Sequence, residues 1–166
     1  MRSSLPRSLI IVAVFSLLSF LLGFVKFGGA SSIALDAFPS YFVAGFYGPL
    51  LGAPVAAVAH LLSAVSGGFP FSVPVHLFIA AEQALWAYLF GAILRYSNNV
   101  WFLIVAIPAG IVCNGYVGPK LIGWVFPALE VPVSGLIPVL LVASAVNVVL
   151  AAAAILALRK TPIGHM

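Results

Sequence analysis

Three carboxylates and seven Lys or Arg side chains are all the charge this chain spreads over 166 residues. That is too little to clothe the surface of a water-soluble domain, and with hydrophobic residues at 64% and a mean hydropathy of +1.25 the solvent must be lipid. The question becomes what the few polar groups inside apolar segments are for. Asp36, His60, His76, Glu82, Gln83, Asn114 and Asn147 are those groups, and each is a functional hypothesis by default.

At roughly 20 residues per span, the length accommodates about six crossings. The pattern predicts an all-α membrane protein, a compact bundle of six transmembrane helices forming a single integral membrane domain over residues 1–166. Its spans fall near 8–27, 38–47, 50–65, 75–96, 100–117 and 136–158. The first reads as a retained span, because its apolar run is of span length and no small-residue cleavage pattern ends it. Gly48-Pro49 marks a tight turn between the second and third spans. Ser66 to Pro74, with two adjacent glycines and two prolines, cannot be regular helix. Arg2, Arg7, Arg95, Arg159 and Lys160 fall on one side, Lys26 and Lys120 on the other, which predicts cytoplasmic termini. The outer loops are then residues 28–36, 66–74 and 118–135. Irregular backbone at membrane depth survives only where it is packed in protein or lines a cavity.

That topology gathers the polar residues at similar depth near the outer ends of several segments. The predicted binding residues are Asp36, Tyr41, His60, Phe69, His76, Gln83, Trp86 and Asn114, with Phe71, Tyr116 and Trp124 as further aromatics nearby. Converging polar groups in an apolar concavity suit a small organic ligand. His76 and Gln83 are seven apart and share a helix face, whereas Glu82 is turned by about 100°. Glu82 is therefore expected to bond a neighbouring helix, with His60 as a partner. Asn147, alone in an Ala/Val helix, reads as interhelical glue, and Lys120 and Glu130 as solvated loop charges. Ser16, Ser19 and Gly23 form a small-residue stripe suited to docking another membrane subunit.

Several classes are disfavoured. There is no Walker motif, HExxH or Ser/His/Asp order, and Cys113 is alone. No metal, cofactor or catalytic residue is expected, and the scattered basic residues give no nucleic-acid patch. The rival readings are a membrane-embedded enzyme using Asp36, His60 and His76 as acid/base groups, and a purely structural protein with no polar cavity.

Ala34-Leu35-Asp36-Ala37-Phe38-Pro39, Gly48 to Ala53, Ala59 to Ser63, Gly67-Gly68-Phe69-Pro70 and Pro74-Val75-His76-Leu77 resemble the substrate-binding (S) components of energy-coupling factor (ECF) vitamin transporters. The resemblance covers the first four spans, and the remainder in layout. It implies six helices, an outward pocket for a vitamin-like molecule, and no ATPase. It also implies a membrane coupling subunit, two cytoplasmic ATPase subunits, and a bacterial or archaeal cytoplasmic membrane. Delivery would be by reorientation of the S component in the bilayer. The Phe-Pro to Val-His-Leu pattern looks most like members proposed for α-ribazole, a cobamide precursor; S components for other vitamins are the alternative. The family's Ala-x-x-x-Ala signature in the first helix is not present, since Ala13 is followed four residues on by Leu17. The nickel/cobalt branch is disfavoured by the missing N-terminal histidine segment.

Overall fold

A computed structural model describes residues 5–27, 33–96 and 101–159; Arg2, Lys160 and residues 28–32 of the first expected loop lie outside them. The helices are α1 (Leu5–Leu22), α2 (Phe38–Phe46), α3 (Pro49–Ser66), α4 (Val73–Tyr96), α5 (Phe102–Val112), α6 (Gly118–Val125) and α7 (Glu130–Arg159). A two-residue antiparallel pair, β1 (Lys26–Phe27) with β2 (Ile33–Ala34), lies between α1 and α2. A π-helical turn, Cys113–Val117, joins α5 to α6 without a break, and a 3-10 turn, Pro127–Leu129, leads into α7. Five helical segments are long and apolar enough to cross a membrane: 5–22, 49–66, 73–96, 102–125 and 127–159.

α2 is the exception. Its nine residues extend about 14 Å against a hydrocarbon core of about 30 Å, so it cannot span alone. Nevertheless Pro39 to Gly45 are all buried, because α1, α3, α4 and α7 pack around it. Its first turn is held by Asn147, which lies twelve residues, or about 18 Å, before the end of α7. Asn147 Oδ1 accepts the Phe38 N–H at 2.7 Å, and Nδ2 donates to the carbonyls of Ala34 at 2.7 Å and Ala143 at 2.9 Å. One amide thus ties two chain segments to mid-helix α7. At the other end Gly48, at φ +128°, turns the chain into α3, and Arg95 Nη2 donates to the Tyr47 carbonyl at 2.7 Å. The break expected at Gly48-Pro49 separates two helices.

With lipid outside and apolar side chains everywhere, size decides which face turns inward. On α1 the buried positions include Ser16 and Ser19, while Leu9, Ile10, Val14, Leu17 and Leu21 face outward. At the α2–α3–α4 crossing, a Cβ on Gly52 would strike Ala44, and one on Gly91 would strike the Ala44 carbonyl. α3 ends in a Schellman motif. Phe69 N–H bonds Ala64 O at 2.9 Å and Gly68 N–H bonds Val65 O at 3.1 Å, with Gly68 at φ +71°.

The expected outer loop over residues 118–135 is mostly helix. Gly118-Pro119 falls in the first turn of α6, and Pro132 in the first turn of α7. Pro132 displaces no helical hydrogen bond there, and Pro119, which lacks an N–H inside the continuous 102–125 helix, directly follows the π turn, where the regular i→i−4 ladder is already broken, so neither ends the helix. The last helix accordingly begins at Glu130 rather than near Leu136.

Replacing Asn147 by Ala leaves the Phe38 N–H and Ala34 carbonyl unmet inside the bundle, at about 1–3 kcal/mol for each group. Gly91→Val overpacks the Ala44 crossing and is expected to cost about 1–3 kcal/mol. Both variants should melt well below wild type in detergent, whereas Leu50→Ala, at an exposed position, should not. Wild-type melting for Asn147→Ala would remove the anchor from the account.

Candidate functional site

Above the first turn of α2 lies a cavity of about 300 Å³, at the lower end of the range of small-molecule sites. α3 contributes Ala56, Ala59 and His60, and α4 contributes His76, Ile79, Glu82 and Gln83. The π turn and α6 add Asn114, Gly118, Pro119 and Ile122, and α7 lines the wall from Val133 to Asn147. Asp36, Ala37 and Ser40 form the part nearest α2, and Phe71 reaches in from the α3–α4 connection. The chemistry is thus drawn from α2, α3, α4, the π turn and α7.

The two histidines are in direct contact. His60 Nε2 and His76 Nδ1 are 3.1 Å apart, and the rings stack with centroids at 5.2 Å and planes 29° apart. Phe69 meets His76 edge-on at 5.7 Å, and Phe71 lies nearly parallel to it at 6.1 Å. Deeper in, Gln83 Nε2 donates to Asn114 Oδ1 at 2.6 Å. Ser40 Oγ donates to the Ala37 carbonyl at 2.8 Å. Two buried side chains on the wall keep an atom with no protein partner: His76 at Nε2 and Glu82 at Oε1. Among the described residues no three His, Cys, Asp or Glu side chains gather as metal ligands.

The structure brings Asp36, His60, His76, Gln83 and Asn114 to one cavity and leaves three of the expected residues off its wall. Tyr41 is buried against Phe90 in a T-shaped contact at 5.2 Å. Trp86 is buried one turn beyond Glu82, and Phe69 stands behind His76. Tyr116 and Trp124 are exposed.

Glu82 makes no bond to His60, whose partner is His76; it lines the cavity beside Gln83. His76, Ile79, Glu82 and Gln83 sweep an arc of about 120° at 3.6 residues per turn, wide enough to hold both. Lining by Ser40, Ser144 and Asn147 was missed, although Ser144 and Asn147 share a helix face at i, i+3 spacing. Ser16 and Ser19 are buried, with Ser16 Oγ donating to the Val55 carbonyl at 3.4 Å, so the small-residue stripe packs α1 on α3. Gly23 sits in the turn after α1, where an added Cβ would lie 3.6 Å from Asp36 Cβ.

The fold is that of a multi-pass membrane protein whose helices surround a mostly apolar cavity of small-molecule size carrying a few polar groups. The ECF transporter substrate-specific component family matches residues 7–161, and the chain belongs to that family. Its members work with a membrane coupling component and ATPases, bind small-molecule substrates, and are transporter components rather than enzymes. A comparison with curated proteins returns no match.

The Gln83–Asn114 bond gives a further expectation. Gln83→Leu alone should destabilise by about 0.5–1.5 kcal/mol by stranding its partner. The double variant Gln83→Leu/Asn114→Leu should cost less than the sum of the singles, because neither amide is then left unmatched. Strict additivity in thermal unfolding would contradict the bond.

Proposed function

We propose that this chain is the ligand-capturing subunit of an ECF-type importer, taking a vitamin or vitamin precursor into the cavity between α3, α4, α6 and α7. The observation that carries the reading is the convergence of polar side chains from separate segments on one cavity, in a chain with almost no polarity to spare. α-Ribazole or a related cobamide precursor fits best. The His76–Phe71 wall is flat and aromatic, matching a benzimidazole ring, and the Gln83–Asn114 amides and Asp36 suit ribose hydroxyls.

The cavity opens to the outside in this reading, and both termini are cytoplasmic. Arg95 and Arg159 stand in the last turns of α4 and α7, at the helix ends remote from His76 and Val133, which supports that orientation. In a bacterial or archaeal cytoplasmic membrane, the loaded subunit reorients on a membrane coupling subunit driven by two ATPases, and ligand leaves on the inner side. With Ser16 and Ser19 turned inward, this reading puts docking on another surface of the chain. The His60–His76 contact favours one rival, acid/base chemistry with Asp36; recovery of the bound compound unchanged separates capture from turnover.

A thermal-shift screen of purified protein against vitamins and their precursors, without ATP, tests the proposal. Ligand at one hundred times its Kd adds about 2.7 kcal/mol of stability. α-Ribazole is expected to raise Tm, and His76→Ala to abolish the rise. A screen in which no compound stabilises the protein would count against capture; stabilisation by a different vitamin alone would remove the α-ribazole assignment.

A further inference from the structure

The charge of the cavity wall carries a statement about its ligand that the family does not make. Among the described lining residues there are two carboxyl groups, Asp36 and Glu82, and no Lys or Arg. The His60–His76 bond needs one bare ring nitrogen as acceptor, so that pair holds at most one positive charge. Lys120, the nearest lysine in sequence to the wall, reaches Ser134 Oγ at 3.4 Å in a separate surface hollow with Glu130 and Trp124. The α2 N-terminus, which would otherwise attract an anion, has its Phe38 N–H taken by Asn147 Oδ1.

Glu82 stands out within this wall. It is 6% exposed, lines the cavity, and its Oε1 has no protein partner. Gly118 keeps the space beside it open, for an added Cβ there would sit 3.7 Å from Glu82 Oε2 and 3.4 Å from Trp86 Nε1. A buried carboxyl oxygen left unmet is costly, and a ligand donor to the carboxyl group, once it turns toward the cavity, relieves it. A phosphate ester brings −1.5 to −2 charges and calls for Arg, Lys or free backbone N–H groups.

We infer that Glu82 is a specificity-determining residue, accepting a hydrogen bond from an N–H or O–H of a neutral or cationic ligand and rejecting the phosphorylated form of the same compound. This rests on the capture reading, with the cavity as the ligand site.

Matched pairs separate the two. α-Ribazole and its 5′-phosphate, thiamine and its monophosphate, and riboflavin and its 5′-phosphate are titrated into the detergent-purified full chain. For whichever compound binds, the phosphate is expected to weaken binding by at least about tenfold, since a phosphate carried into this cavity meets no Lys or Arg to pair its charge. Glu82→Gln keeps an acceptor without the charge and should narrow that gap, while Glu82→Leu should weaken the unphosphorylated form. The wild-type comparison stands even where a variant fails to fold. Lys26→Gln is run alongside, since Lys26 pairs with Ala34, two residues before Asp36.

Equal or tighter binding of a phosphate ester by wild type overturns the inference. So does a gap unchanged in a folded Glu82→Gln protein, or a phosphate preference that vanishes with Lys26→Gln. If no member of any pair binds, the capture reading fails for these compounds, and the inference falls with it.

Discussion

The Asn147 side-chain amide fixes the position of everything around the cavity. In lipid, a helix that begins inside the bundle exposes backbone donors that no water can reach. Asn147 meets one of them at Phe38 and also holds the Ala34 carbonyl, so β2 and the start of α2 are pinned beside the middle of α7. α2 therefore occupies only half of the thickness its neighbours cross. The space above its first turn, walled by full-length α3, α4 and α7, is the cavity, with Asp36, Ala37 and Ser40 beside its floor. A span-length α2 would fill it.

Packing serves the same arrangement. Because lipid gives apolar side chains no reason to prefer the interior, close approach of small residues sets the helix contacts. Ala44 fits against Gly52 and Gly91 where α2 crosses α3 and α4, and Gly45 faces Ile155, Leu94 and Phe90. The larger apolar residues of α1, among them Leu9, Val14 and Leu17, are left for the bilayer. The half-length helix is thus clamped by contacts that a single methyl group would disturb.

Much of this was legible in the sequence, for physical reasons. Scarce charge identifies a lipid environment, Gly48-Pro49 identifies a helix boundary, and polar residues stand out in apolar runs strongly enough to pick His60, His76, Gln83 and Asn114. Helical spacing was less informative where it mattered most. The turn of about 100° between Glu82 and Gln83 suggests separate faces, yet the wall of α4 spans an arc that takes in both. Tyr41 and Trp86 have the chemistry of ligand contacts, but only tertiary packing reveals that they are buried beside the cavity. Prolines 119 and 132 suggested a loop because composition reveals neither the π turn that precedes Pro119 nor the place of Pro132 in the first turn of α7. Nor does a small-residue stripe say whether it faces an external partner or, as with Ser16 and Ser19, a helix of the same chain.

A ligand-bound experimental structure of the full chain, solved with whichever compound most stabilises it, bears most directly on the central claim. Density is expected between α3, α4, α6 and α7, above the first turn of α2, with a ligand polar atom within hydrogen-bond reach of the His76 ring or the Glu82 carboxyl group. Density confined to the lipid-facing surface, or to the hollow beside Lys120 and Trp124, would contradict it.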